Sequence, residues 1–507
     1  MLKIIERRYP LFLAAALAAA CFAHVHNLTA VPRGFYCDEM SNGLNAAAMS
    51  ETMRDEHNVF MPLYFKTYGW YTDPLYIYTN AAVFKLAGIS EFTLRLTSVL
   101  YYFVFLLFFL MLVKIMSQGN KTVLLYAVAA AGFTPWIFTC SRIAFTTISQ
   151  AAVASAAMYF IYAVFHGKEA GNRNIKAAVA GLFLGLCFYT YATTRLLTAL
   201  AICGLVIIYI NKANIKKLLI ICCSFVAVMI PAIVFALKNP EAMTARFGRI
   251  SYINDASISF YAKMWSFIKY YVNYFNPYTL LIKGDEILRH STGYGGELFA
   301  TTFILLIAGT VAVMFRKKDR RFGLFLTFNL LCAPIAAALV DSRFSATRSI
   351  LMAVYILIIS CMGFEYLLIR FGGSKKEMVA AIVIAGTVFQ AFLYAGHYFL
   401  VYPEKSTEWF EGYGYKEALE KAIRLGPKKI IISKYANQAY TYLGFYRYVV
   451  PNEKRVPIVL GEPLRESDTC VVIHSAWDRQ ILKRFGRSGD DLTPEERIIC
   501  LKYYSVQ

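Results

Sequence analysis

The chain has 507 residues, of which 58% are apolar and only 17% charged, against about 45–50% and about 25% in soluble domains. These proportions exclude a row of ordinary soluble domains and point to a membrane protein. Its 39 Phe and 36 Tyr exclude a disordered chain, and 11 Cys are too few for a disulfide-stapled secreted module.

Apolar stretches able to cross about 30 Å of hydrocarbon fall at 10–30, 92–113, 122–139, 145–165, 177–192, 196–210, 218–237, 298–315, 322–340, 349–369 and 378–400. The first is longer than a signal-peptide core and lacks an A-x-A site before the polar segment around Asn27 to Thr29, so it reads as a retained anchor. With the N-terminus inside, the short cytoplasmic connectors carry Lys3, Arg7, Arg8, Lys114, Lys121, Lys168, Arg173, Lys176, Lys212, Lys216 and Lys217. They continue with Arg316, Lys317, Lys318, Arg320, Arg321, Arg370, Lys375 and Lys376, against only Glu6, Glu169, Asp319 and Glu377. Most of the net charge of +20 is therefore a positive-inside signal, and a nucleic-acid partner is excluded. The expected fold is a polytopic α-helical membrane protein of about eleven transmembrane helices, with the C-terminus outside.

Three longer segments then face outward: 31–91, 238–297 and the tail from about 401. DEMSNGLNAAAMSETM, opening at Asp38, has helical apolar spacing and reads as an interfacial helix along the outer leaflet. PLYIYTNAAVFKLAG, from Pro74 to Gly88, begins with a proline behind a capping Asp73. The second segment holds aromatics suited to the headgroup layer, then a turning stretch marked by Gly284, Gly293, Gly295 and Gly296. The tail alternates helix-like and strand-like runs and reads as a small extracytoplasmic α/β domain, so the expected division is 1–400 and 401–507. Cys470 and Cys500 lie on two of its strand-like runs and are a candidate pair.

The acidic pair Asp38-Glu39 stands just past the first span. One carboxylate there suits a base acting on an incoming hydroxyl with its neighbour positioning it; a plain alternative is an N-cap with a favourable helix-dipole contact. Arg95, Arg142, Arg195 and Arg348 stand at outer span ends, where the charge bias disfavours them, and a lipid phosphate is the anion that fits a guanidinium. Snorkelling, or an i,i+4 pair of Arg95 with Glu91, is the alternative. Asp285, Glu286, Arg289 and His290 cluster within six residues, which suits a metal, a phosphate or simply a solvated loop. The sequence has no GxxxxGK[ST], HExxH, GxSxG or CxxC.

DE after the first span, DPLYIYTNAAVFKLAGISEFTLRLTSVL, PWIFTCSRIAFTTIS (135–149), YTYATTRLL (189–197) and the GD-x(4)-H loop together resemble the GT-C superfamily of membrane glycosyltransferases. Within it, the chain resembles bacterial relatives of protein O-mannosyltransferases and lipid A aminoarabinose transferases, across about residues 1–400. The resemblance implies an inverting transferase of the cytoplasmic (inner) membrane. It would move a sugar from a polyprenyl-phosphate carrier to an envelope lipid, glycan or protein acceptor on the outer face. Asp38 would be its catalytic acid/base centre and Glu39 the partner, with His290 and Arg348, joined by Arg142 or Arg195, at the donor phosphate. A divalent cation held by Asp38, Glu39 or Asp285 would share the phosphate charge. Thr72-Asp73-Pro74 departs from the His-Pro-Pro or Lys-Pro-Pro of many relatives. The rival readings are a lipid or glycolipid flippase and a non-catalytic scaffold; a flippase predicts ionisable residues within spans, where this chain has few.

Overall fold

The computed structural model describes residues 2–167, 172–315, 319–340, 343–425, 429–432, 438–452, 456–460, 470–475 and 498–503. Lys168, Glu169, Arg316, Lys317 and Lys318 of the basic connectors lie outside the described residues. All eleven apolar stretches are helical. Seven described helices are long and apolar enough to cross a membrane, and Lys121–Phe133 with Pro135–Ser141, bent by 52°, makes an eighth. The chain is a multi-pass membrane protein, but the expected count of eleven is not reached on length. Arg173–Cys187, Thr194–Tyr209 and Ala300–Phe315 have 15, 16 and 16 residues, which at about 1.5 Å per residue fall short of the roughly 30 Å core.

The chain forms two compact units. The first comprises Met1–His26, Leu63–Tyr76 and Ser98–Phe399 and holds the apolar helices. Lipid gives little hydrophobic drive between helices, so small residues that let backbones approach decide the pairing. Gly309 and Gly363 sit where Ala300–Phe315 meets Ile350–Arg370, and a Cβ on either would strike the other helix's backbone. Gly181 does the same for Arg173–Cys187 against Ile215–Lys238, and a Cβ on Gly185 would strike the Val228 side chain. Tyr102, Phe105 and Phe109 are buried inside this unit, so the aromatic run 101–109 packs helices. Tyr261, Trp265, Ile268 and Val272 of the helix Phe260–Asn273 stay exposed in a helical row, as an interfacial anchor requires.

The second unit comprises Asn27–Pro62, Ile77–Thr97 and Leu400–Gln507. The expected 1–400 and 401–507 division puts 27–62 and 77–97 with the membrane part; by packing, both share a unit with the tail. The helix Cys37–Thr52 is buried over most of its length, which corrects the interfacial reading. Its Gly43 lies against the Phe445 ring, where a Cβ would come within 2.8 Å, and Gly444 of the helix Ala439–Val449 lies equally close to Leu44. Small residues that suit a lipid surface here serve a helix contact.

The tail carries a four-stranded sheet in which Lys429–Ile432 pairs in parallel with Ile458–Leu460 and Cys470–Ser475, and the latter antiparallel with Ile498–Tyr503. The register sets Cys470 opposite Tyr503 and Cys500 opposite Ile473. An offset of three residues is about 10 Å along a strand, beyond the roughly 7 Å Cα separation a disulfide spans. This register excludes the expected pair.

Candidate functional site

The first turn of the helix Cys37–Thr52 is the tightest polar cluster of the second unit. Glu39 reaches back to accept the Tyr36 N–H at 3.0 Å, as a capping carboxylate does; Tyr36, not Asp38, is the N-cap. Both Glu39 oxygens also receive Arg95, from Nε at 3.0 Å and Nη2 at 3.2 Å. Arg95 donates further to the carbonyls of Leu28 at 3.1 Å, Pro32 at 2.9 Å and Gly34 at 2.5 Å. Its guanidinium lies 3.9 Å from the centre of the Phe35 ring. Both side chains are 0% exposed. The buried pair thus uses its hydrogen-bonding capacity on itself and on the peptide 28–36, as a buried pair must.

Arg95 therefore pairs with Glu39 and not with Glu91. Glu91 takes Lys416 Nζ at 3.0 Å and the Tyr446 hydroxyl at 2.9 Å, and burial beside that carboxylate raises the Tyr446 phenol. Asp38, one residue before Glu39, is half-buried, with Cys37 Sγ 4.0 Å from its Oδ1.

The first unit holds the other candidates. After the turn Thr279–Lys283, Gly284 at φ +65° swings the chain so that Asp285 points inward and is buried. Its Oδ2 accepts the Ala346 N–H at 2.8 Å and contacts His290 Nδ1 at 3.1 Å. Its Oδ1 accepts the Ile287 N–H at 2.9 Å. Trp136 Nε1 donates to the Ala346 carbonyl at 2.8 Å, so the turn leading to Arg348 is held from both sides. With Nδ1–H on Asp285, His290 keeps Nε2 for another partner. Arg348 is half-buried, and its guanidinium has no acid or carbonyl partner among the described residues. One carboxylate thus fixes His290 and, through Ala346, the turn carrying Arg348.

Glu297 completes the cluster. Fully buried, it accepts the Asp285 N–H at 2.9 Å on Oε1, while Oε2 has no hydrogen-bond partner among the described residues. Desolvation pushes its pKa up to about 8, with Asp285 adding in the same direction and the hydrogen bonds opposing. Burial thus favours its neutral form. The unfolded carboxyl loses its proton near 4.5 and the folded one near 8, so the folded state binds more protons between them and stability falls as pH rises across that window. A Glu297→Gln chain should lose this slope, on the order of a few kcal/mol, in thermal unfolding followed from pH 5 to 9; an unchanged slope would refute the assignment.

The other expected phosphate contacts are differently employed. Arg142 is wholly buried and donates to the carbonyls of Ala23 at 2.6 Å, His24 at 2.8 Å and His26 at 2.7 Å. It holds the C-terminal end of the helix Leu2–Val25, where orphan carbonyls and the dipole favour a cation. Arg195 Nη2 pairs with Asp73 Oδ1 at 2.7 Å, and its guanidinium lies 5.4 Å from the Tyr64 ring centre. Of the four outer arginines, only Arg348 is left uncommitted among the described residues. Glu286 pairs locally with Lys283. Among the described residues no group of three or more His, Cys, Asp or Glu could hold a metal ion. Glu39 and Asp285, the two expected ligands beside Asp38, spend their oxygens on Arg95, His290 and backbone N–H groups.

Among solved structures, this chain is similar to ArnT from Cupriavidus metallidurans in the apo state, with 12% identity and a TM-score of 0.55 over 94% of each chain. It is similar to the same protein bound to undecaprenyl phosphate at 12% and 0.54, again over 94% of each. What this chain shares with ArnT at that identity is the fold. Archaeal oligosaccharyltransferase AglB from Archaeoglobus fulgidus, in complex with an inhibitory peptide and a dolichol-phosphate, has 12% identity and a TM-score of 0.48 over 89% of this chain and 61% of its own. No family model and no curated protein matches the sequence.

Asp73 and Glu297 are residues that sequence reasoning passed over in the site. Asp73 does precede the helix Pro74–Ala87, but its ion pair is with a residue 122 positions on. For Glu297 a signal existed: an acid following Gly295-Gly296 directly before an apolar span is placed where a carboxyl is desolvated.

Proposed function

We propose that this chain is an inverting glycosyltransferase of the cytoplasmic membrane. It moves a sugar from a polyprenyl-phosphate carrier to an acceptor on the outer face, with the N-terminus inside and the tail outside. The observation that carries this reading is the first turn of Cys37–Thr52, where the Arg95–Glu39 pair fixes the backbone that carries the neighbouring, half-buried Asp38 carboxylate. The similarity to a structure that binds undecaprenyl phosphate supports the choice of carrier.

Asp38 takes the proton of the acceptor hydroxyl or amine as that group attacks the anomeric carbon and the carbon–oxygen bond to phosphate breaks with inversion. Polyprenyl phosphate leaves already charged, so no second acid is required, in contrast to glycoside hydrolysis. Within the first unit, Arg348 and the Nε2 of His290 are the groups suited to a lipid phosphate. Glu39 and Asp285 position these groups without touching substrate, and Arg142 and Arg195 have no part in the step.

Purified full-length protein given a radiolabelled polyprenyl-phosphate sugar should release the sugar from the lipid. A flippase would move the lipid intact and a scaffold would do neither, and either result refutes the proposal. Arg348→Ala should raise the KM for the donor about tenfold or more, the cost of one charged hydrogen bond; an unchanged donor KM would remove Arg348 from the phosphate site.

A further inference from the structure

The second unit contains a cavity of about 330 Å³ that the proposed chemistry does not use. Its principal side chains are Arg33, Phe35, Glu91, Tyr413, Glu417 and Tyr446. We infer that this cavity is a binding site for a neutral sugar residue of the acceptor.

The walls are preformed. Gly412 donates its N–H to the Phe35 carbonyl at 2.9 Å and the Tyr442 hydroxyl donates to the same oxygen at 3.0 Å. The Arg33 N–H reaches Ser406 Oγ at 3.1 Å. Gly34 lies so close to Tyr413 that a Cβ would come within 2.7 Å of its backbone, and its φ of +80° independently demands glycine. Two stretches of chain almost four hundred residues apart are thus stitched into one rim, which spares the ordering cost of binding.

The lining selects the ligand. The volume is at the lower end of the roughly 300–1,000 Å³ of small-molecule sites, and Phe35 and Ala30 are the apolar side chains in it, which suits neither a polyprenyl tail nor an acyl chain. The exposed Glu417 carboxylate stands in the cavity, so a phosphate or uronate would meet like charge there. The Arg33 guanidinium has no acid partner among the described residues, and Glu417 is exposed at the cavity. The Arg33 donor fork, the Glu417 carboxylate and the Tyr413 phenol, beside a Glu91 already held by Lys416 and Tyr446, are the complement of neighbouring hydroxyls, each of which donates and accepts. The site also lies next to the proposed base: Arg95 grips the Gly34 carbonyl and the Phe35 ring from the inner side, and its partner Glu39 adjoins Asp38. This assignment rests on the transferase reading for the word acceptor; the sugar pocket itself does not.

Saturation-transfer NMR on the full-length protein in a sugar-free detergent tests it with a panel of neutral methyl hexosides, glucuronate and a hexose phosphate. At least one neutral hexoside should bind, with about tenfold weaker affinity in Glu417→Gln and in Arg33→Met, the value of one charge-assisted hydrogen bond. Glu417 is exposed, so its variant should keep the wild-type unfolding temperature. Binding by none of the neutral sugars, preference for the anions, or equal binding in both variants would overturn the inference. Displacement of the hexoside by a lipid-linked hexose would make the cavity a donor pocket and overturn it equally. Hexoside binding by a wild-type protein that releases no sugar from a polyprenyl-phosphate donor would sink the transferase reading and leave the pocket standing.

Discussion

An Asp38→Asn chain should fold normally and lose sugar transfer by about 10²–10⁴-fold, the usual contribution of a positioned general base. The substitution keeps size and shape but removes the only property the mechanism needs, a lone pair basic enough to take a proton. Because that proton moves only in the transition state, kcat and kcat/KM should fall together while the donor KM stays put. Stability should change little: Asp38 is half-buried and is not the N-cap, the amide keeps its size and an accepting oxygen, and removing the charge costs a first-turn dipole contact of about 0.3–1 kcal/mol. Single-turnover release of labelled sugar, measured beside an unfolding temperature, separates these outcomes. Transfer at the native rate would end the assignment of Asp38, and a collapsed unfolding temperature would show that the carboxylate is structural.

The apolar stretches were legible because membrane helices are written locally, as runs long enough to cross hydrocarbon. The breaks within them were less so. Pro135 ends one helix and starts the next with a 52° bend, which hydropathy averages away. Sidechain fates were least legible of all. Arg95, Arg142, Arg195 and Arg348 look alike in sequence, each at an outer span end. Arg142 is satisfied by main-chain carbonyls, which have no residue signature, and Arg195 and Arg95 by acids 122 and 56 positions away. Arg348 is distinguished only by what it lacks among the described residues. The helix Cys37–Thr52 shows the same limit, since Gly and Ala at helical spacing suit a lipid face and a packed helix contact equally, and only the ring of Phe445 against Gly43 decides between them.

Breaking the Arg95–Glu39 pair should cost stability where losing Asp38 costs chemistry. Arg95→Met leaves the Glu39 carboxylate fully buried without its guanidinium partner and strips the carbonyls of Leu28, Pro32 and Gly34 of the Arg95 donors. A buried charge left uncompensated costs about 3–5 kcal/mol, a large part of the 5–15 kcal/mol that holds a typical protein folded. Glu39→Gln alone should cost about as much, because it leaves the guanidinium charge buried instead. The double variant Arg95→Met with Glu39→Gln removes both charges, so the penalties should not add: the pair should lie well below the sum of the singles, with an interaction energy of at least about 1 kcal/mol. Unfolding midpoints of the four proteins give this cycle directly, and additive penalties would mean that the two side chains stabilise the peptide 28–36 independently. The pair is therefore predicted to act on catalysis only through shape. Any transfer lost in the double variant should return when the variant is assayed below its own midpoint, because Asp38 itself is untouched.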